Sequence, residues 1–396
     1  MAGSSKRLKQ KGKIRSLDEE DDRVSDLPDG ILHHVLSFLE TKFMVRTSLL
    51  SKRWRSLWKD VPALNFGGLS FNSESNSREY VSKALSLRSD SAAVSSVTFE
   101  FGETERGEQV GMTDLFGSVM RYAASHGMGE LGLGFLQLYC WFSWNRLEFS
   151  GLASSITAHR HHESLKTLKL KRCRLDGELG LGFKLLSTLE LSDSYFCFRE
   201  SASGMSHDPF ADLPCLNYLK LLRCSSSKFF FKVSGLQLLD LEIQEPGGGQ
   251  TLDVFAPKLK HFLFQGAVTN LGKLDLPSLD CANIRVRWEV PHWSHQKRVM
   301  QRQMDAYIKL LRELHNATSL CLRFDKHQRK WKEDEFPFNS MKLLLEPEAS
   351  PFTRLKILRV QYPQDPPITP YQVIRYFFEG SPNIEEKFVK FERKIK

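Results

Sequence analysis

Apolar residues in this chain follow two periods, and the change from one to the other falls near residue 66. From Val24 to Phe66 the spacing is helical: Ile31, Leu32, Val35, Leu36, Phe38 and Leu39 recur three and four residues apart. Pro28 suits the first turn of that helix, where a missing N–H costs nothing, and Asp26 and Asp29 place negative charge near its positive end. A second apolar run, Phe43, Met44, Val45, Leu49 and Leu50, follows Thr41-Lys42. Ser51 is positioned to cap a third helix on which Trp54, Leu57 and Trp58 share a face. Three short helices over about 40 residues cannot bury this much apolar surface among themselves. The surplus is expected against a partner or against the rest of the chain.

Beyond residue 66 the period falls to two and a template repeats. Apolar residues spaced L-x-x-L-x-L-x-x-C appear as Leu165, Leu168, Leu170 and Cys173, and again as Leu216, Leu219, Leu221 and Cys224. Shorter copies read Leu186-Leu189-Leu191, Leu236-Leu239-Leu241, Leu259-Phe262-Phe264, Leu279-Ala282-Ile284 and Leu355-Leu358-Val360, with Val94-Val97-Phe99, Met128-Leu131-Leu133 and Ala317-Leu320-Leu322 in the same pattern. Starts lie 20 to 38 residues apart, room for one strand and a return segment. The x-L-x-L-x centre of each copy is the predicted strand, and the Cys position suits a small buried wall residue. In the longer spacings the pattern predicts helices over Met112–Ser125 and Ser294–His315, with shorter ones at Met341–Leu345 and Pro370–Glu379. Four prolines in Pro363–Pro370 are expected to break the array before a C-terminal helix.

Two resemblances follow. Leu27-Pro28-Asp29, the Ile31-Leu32 and Val35-Leu36 pairs, Phe38-Leu39 and the run Leu50-Ser51-Lys52-Arg53-Trp54-Arg55-Ser56-Leu57-Trp58 resemble the F-box, most closely its plant form; the sequence departs at Phe43, where related boxes often carry an acid. The resemblance implies three helices that dock onto a Skp-type adaptor and, through it, a cullin–RING ubiquitin ligase, with Leu27, Pro28, Ile31, Leu32, Val35, Leu36, Leu39, Lys52 and Trp54 as adaptor-binding residues. The residues alone also permit a three-helix cap that seals the end of a larger domain. The repeats resemble a leucine-rich-repeat solenoid, in which no unit buries its core without its neighbours; a leucine-rich α/β domain of other topology is the alternative.

Composition narrows the function. The 396 residues are 41% hydrophobic and carry a formal net charge of +9, with no run of about 18 apolar residues of the kind that spans a membrane. The start is polar and basic rather than a signal segment. Seven scattered cysteines without a CxxC pair suit reduced thiols in the nucleus or cytoplasm. Residues 1–22, a basic run followed by an acidic one, read as a disordered tail whose basic part could serve nuclear import. His159, His161 and His162 beside Glu163 do not project together as a ligand set, so neither metal nor cofactor is expected. Gly247-Gly248-Gly249 lacks the lysine and spacing of a phosphate loop, and no motif of a nucleophile or metalloprotease occurs, so no catalytic residue is assigned. Between Arg285 and Lys332 there are twelve Lys or Arg against four Asp or Glu, a net +8, interleaved with Trp288, Trp293, Phe324 and Trp331. Such a span can bind nucleic acid; a solvated face or an acidic protein partner is the preferred reading.

The expected architecture is therefore α/β: a charged tail over 1–22, an F-box over 23–66, a leucine-rich-repeat domain over 67–362, and a Pro-rich turn and helix over 363–396. The expected role, inherited from the resemblance, is the substrate-recognition subunit of a cullin–RING ubiquitin ligase. The alternatives are a nucleic-acid-binding solenoid and a scaffold that binds the adaptor alone. Side chains between the buried leucines should form one face for a protein substrate: Thr167 and Lys169, Thr188 and Glu190, Tyr218 and Lys220, Leu238 and Asp240, His261 and Leu263. Arg285, Arg287, Arg298 and Arg302 are the competing site.

Overall fold

Strand after strand, the chain lays its repeats side by side in parallel. The computed structural model describes residues 24, 26–67, 74–102, 110–136, 147–149, 164–176, 183–198, 208–228, 230–247, 251–287, 296–324, 352–362, 377, 381, 384 and 386–391. The tail over 1–22, the histidines at 159, 161 and 162, the tryptophans at 288, 293 and 331, the helix expected at 341–345 and the proline-rich 363–370 lie outside the described residues.

The first helices are α1 (Asp29–Ser37), α2 (Thr41–Arg46) and α3 (Trp54–Leu57), with 3₁₀ turns at Thr47–Leu49 and Trp58–Asp60. Pro28 stands one place earlier than its sequence suggested. Its ψ of 148° is extended, so it flanks the helix, and its carbonyl accepts the Leu32 amide at 3.1 Å. Leu32 and Leu36 then pack with Met44, Trp54, Leu57, Trp58 and Val61 in a small core of their own.

Numbered in chain order, the strands of the main sheet run β1 (Ala63–Phe66), β2 (Ser96–Gly102), β3 (Glu130–Leu136), β5 (Thr167–Lys171), β7 (Thr188–Ser192), β9 (Tyr218–Leu222), β12 (Asp240–Gln244), β14 (His261–Gly266), β16 (Cys281–Val286), β17 (Ser319–Phe324), β18 (Ile357–Tyr362) and β19 (Glu386–Phe391), all parallel. Register carries one buried ladder across them: Leu64, Val97, Leu131, Leu168, Leu189, Leu219, Leu241, Phe262, Ala282, Leu320 and Leu358 are successive Cα partners. All belong to one continuous core, as stacked units that cannot bury their leucines alone require. Three features differ from expectation. The copy read as Leu236-Leu239-Leu241 is instead Leu238, Leu241 and Ile243, because Leu241 pairs with Leu219 and Ile243 with Leu221, leaving Leu236 and Leu239 exposed and Leu238 buried. β1 lies inside the stretch assigned to the helical module. And β19 adds a strand to the sheet beyond residue 363, where the repeats were expected to have ended; of the helix expected over Pro370–Glu379 only Phe377 is among the described residues, and it is helical.

Spacing decides how each repeat returns. From β12 to β14 to β16 the starts fall at 240, 261 and 281, too close for a helix, and the return is a second short strand. These returns stack into two further parallel sheets, β4 (Leu147–Glu148), β6 (Cys173–Asp176), β8 (Tyr195–Cys197) and β10 (Ser225–Ser226), then β11 (Phe230–Ser234), β13 (Thr251–Phe255) and β15 (Leu271–Asp275). Wider gaps hold helices: α4 (Glu74–Ser86), α5 (Val110–Ser125) and, between β16 and β17, α6 (Gln296–Glu313). No helix among the described residues is long and apolar enough to cross a membrane.

The Cys position of the template is a wall, as its size suggests. Cys173 and Cys224 are buried, Ser194 takes the same place, and its Oγ accepts the Cys173 amide at 3.2 Å. Burial pushes the Cys173 thiol up to about 12, so it is an inert packing group rather than a nucleophile.

Candidate functional site

Two faces of α1 do different work. Leu32 and Leu36 are each 1% exposed and point into the small core, whereas Ile31 and Val35 are each 49% exposed and Phe38 is 73% exposed. The latter three, at i, i+4 and i+7, form an apolar stripe on the outside of the helix. Phe43, Leu49 at 86% and Leu50 at 68% extend the exposed apolar surface onto α2 and the turn that follows it. His34 meets Phe38 edge-on, with ring centroids 4.9 Å apart, and the Arg46 guanidinium lies 5.7 Å from the Phe43 ring centre.

The scaffold beneath this surface is pinned by polar contacts. Arg53 Nε donates to Asp29 Oδ1 at 3.0 Å and its Nη2 donates to the Leu27 carbonyl, tying α3 to the start of α1. Ser51 Oγ accepts the Trp54 amide at 3.5 Å. Thr41 Oγ1 accepts the Asn65 amide at 2.9 Å, so the helical module is hydrogen-bonded to β1, the first strand of the repeats. The module thus both seals that end of the sheet and keeps an apolar face outward.

Of the residues assigned to adaptor contact, Pro28, Ile31, Val35 and Lys52 are exposed, and Leu27 and Leu39 are half-buried. Leu32, Leu36 and Trp54 are interior. Phe38, Phe43, Leu49 and Leu50 are exposed apolar residues that the assignment left out. Their signal was present in the sequence as surplus hydrophobicity, but the period alone does not tell which of two apolar helix faces looks inward.

On the repeats, the side chains between the buried leucines do share one face of the main sheet. Thr167, Lys169, Glu190, Tyr218, Lys220, Asp240 and His261 all stand on it, each half-buried or exposed. Its charges pair with one another: Lys169 Nζ lies 2.8 Å from Glu130 and 3.7 Å from Glu190, Lys220 lies 3.4 Å from Glu242, and His261 Nδ1 lies 2.6 Å from Asp240 Oδ1. Glu130 in particular holds the Lys169 ammonium above the usual lysine range. Tyr218 Oη donates to Glu242 at 3.0 Å, and burial first, then that bond, raises its pKa. The competing basic group is divided by the fold. Arg285 stands on the same face, Arg287 pairs with Glu245 at 3.6 Å beyond the strand end, and Arg298 and Arg302 are exposed on α6.

A second row lines the strand ends. Arg172, Asp193, Arg223 and Glu245 hold φ of 56°, 52°, 49° and 49°, each one place before the wall residue of its repeat. Each donates its amide to the next strand's end, to Ser192, Leu222, Gln244 and Gln265 in turn. The signs alternate, and Arg223 grips Asp193 through Nε and Nη2 at 2.6 and 2.9 Å.

Residues 24–65 match the F-box domain. The chain is 27% identical over 284 residues to a putative F-box/LRR-repeat protein of Arabidopsis thaliana, covering 70% of this chain and 54% of that protein. It is 29% identical to F-box/LRR-repeat protein 25 of the same plant over 61% of this chain and 84% of the relative. With an F-box/FBD/LRR-repeat protein, again from Arabidopsis thaliana, identity is 32% over 66% of this chain and 55% of the relative. The match therefore spans about half the length of two of these three relatives. Residues 24–65 match the F-box, and over the aligned span the chain is similar to plant F-box/leucine-rich-repeat proteins.

Proposed function

We propose that this chain is the substrate-recognition subunit of a cullin–RING ubiquitin ligase, docking a Skp-type adaptor through its F-box and holding a protein substrate on its repeats, in the nucleus or cytoplasm. The observation that carries the reading is the apolar stripe of Ile31, Val35 and Phe38, exposed on a helix whose opposite face already has a core. An exposed apolar patch of this kind is a docking surface by default. In this reading Leu27, Pro28, Leu39 and Lys52 add to the docking surface, while Leu32, Leu36 and Trp54, in the core of the module, support it. The repeats supply Thr167, Lys169, Glu190, Tyr218, Lys220, Asp240 and His261 as one mixed surface, which suits a protein better than a phosphate backbone. The chain itself takes no covalent step in this reading; ubiquitin transfer belongs to the assembled ligase.

The test is co-purification with a Skp-type adaptor. Ile31→Lys with Val35→Lys should abolish it, since each unpaired charge in an apolar interface costs several kcal/mol. The melting temperature should hardly move, because both side chains face outward. Undiminished adaptor capture by the double variant would refute the docking surface.

A further inference from the structure

The outward face of the main sheet sets an acid, an imidazole and a thiol side by side. Asp240 on β12 is the Cα partner of His261 on β14, and His261 is the Cα partner of Cys281 on β16. Each precedes a buried residue, Leu241, Phe262 or Ala282, so the three side chains share the outer face. Asp240 Oδ1 lies 2.6 Å from His261 Nδ1. A carboxylate only accepts, so in the neutral ring Nδ1 carries the proton and Nε2 the lone pair. The His261 side chain is 60% exposed and Cys281 is half-buried, so neither is closed off from solvent. Among the described residues no hydrogen bond joins His261 to Cys281 at rest; such bonds commonly tighten only when the reaction partner is bound. The other thiols stand apart from this row. Cys173 and Cys224 are buried, burial raises the Cys321 thiol, and Cys215 is exposed in the turn before β9. Cys321 is the Cα partner of Asn283, two residues past Cys281. With strands about 4.8 Å apart and a rise of about 3.3 Å per residue, the Cα atoms of Cys281 and Cys321 stand about 8 Å apart, beyond the roughly 7 Å that a disulfide spans.

We infer that Cys281 is a modification site at which small disulfides of the glutathione type form a mixed disulfide, with His261 as the base and Asp240 as the group that positions it. The order of roles is that of a nucleophile, its base and the support of the base. Nε2 takes the thiol proton, and the Sγ thiolate attacks one sulfur of the incoming disulfide. A new S–S bond forms as the old one breaks, and the departing thiolate takes the proton back from the imidazolium. The Cys281 sulfur is oxidised, half of the incoming disulfide is reduced to a free thiol, and no other oxidant is needed. Asp240 holds the ring and stabilises the imidazolium while it carries charge. Cys321 is too far away to displace the adduct without movement of the backbone. Asp, His and Cys also suit a metal, yet among the described residues no group of three such side chains is placed to hold one. Asp240 and His261 belong to the row proposed for a substrate, so the adduct would stand on that face; the thiol chemistry does not rest on that reading.

The experiment incubates the full, reduced chain with glutathione disulfide near neutral pH and follows the adduct at each cysteine by mass spectrometry of its peptides. Cys281 should react roughly tenfold or more faster than Cys215, although Cys215 is the more exposed. His261→Ala should remove that lead, and added imidazole should restore part of it at Cys281, which a merely structural role would not allow. Asp240→Asn should slow Cys281 and leave Cys215 at its parent rate. Both replaced side chains lie at the surface, so the variants should fold, and the unchanged rate at Cys215 reports that they have. Reaction at Cys281 no faster than at Cys215 in the parent chain would overturn the site. So would an unchanged Cys281 rate in His261→Ala, a loss that imidazole does not restore, or a fall at both cysteines alike. A bridge between Cys281 and Cys321 in place of the mixed disulfide would overturn it too. No adaptor is present in this measurement, so failed adaptor docking would leave the site standing, and an unreactive Cys281 would leave the docking surface standing.

Discussion

Asp193 sits in a left-handed conformation, φ 52°, where its carboxylate meets Arg223 with both oxygens. That conformation costs about 1–2 kcal/mol for most residues, less for Asp and Asn, whose short polar side chains bond locally. Arg223 beside it holds the Asp193 carboxyl below the usual carboxylate range. A depressed folded pKa stabilises the fold above the unfolded value near 4, and the contribution is lost as pH falls through the lowered folded value. The Arg223 side chain is 51% exposed, so solvent screens the pair. Asp193→Asn, which keeps the backbone preference, should therefore lower stability by about 1 kcal/mol or less at neutral pH. The gap between parent and variant urea midpoints should close in acid; a gap independent of pH would show that charge is not the cause. Asp208 works with the opposite sign, since burial raises its pKa despite the Ser234 hydroxyl that donates to it.

At the scale of single elements, the leucine ladder fixes which residues matter. Leu241→Ala, in register between Leu219 and Phe262, should cost roughly 2–5 kcal/mol. Leu236→Ala, at 66% exposure, should stay within about 0.5 kcal/mol. Urea midpoints of the two variants distinguish the observed register from one two residues earlier. That stretch satisfies the spacing in two registers, Leu236-Leu239-Leu241 and Leu238-Leu241-Ile243, and only the neighbouring strands choose between them. Elsewhere each copy offers a single fit, and the strand was legible from period and spacing alone. The return strands were not legible: they are two to five residues long and carry no repeated spacing of their own. The F-box was legible as three helices with surplus apolar surface, yet α1 is apolar on two sides, and its sequence cannot say that Leu32 turns in while Ile31 turns out.

In the whole molecule, each strand of the main sheet is hydrogen-bonded only to its neighbours in the order, so damage should stay local. Phe352 and Phe377, both fully buried with ring centroids 4.9 Å apart, close the far end of the core. Phe377→Ala should speed amide exchange in β17 and β18 by an order of magnitude or more, while β5 to β9 keep the protection of the parent chain. Uniform loss across the sheet would mean a single cooperative unit instead.

The Thr41–Asn65 bond fastens the F-box to the first strand of the sheet, and Arg323 stands on the tenth in order, nine spacings away. At about 4.8 Å each, those spacings make an arm of roughly 43 Å measured along the sheet. β1 is itself paired into the sheet with β2, so the arm is the stacked backbone. Its length is a whole number of strands, so in the proposed ligase role gain or loss of one repeat would move whatever the far strands hold by one spacing, and reach would be counted in repeats rather than tuned by a linker.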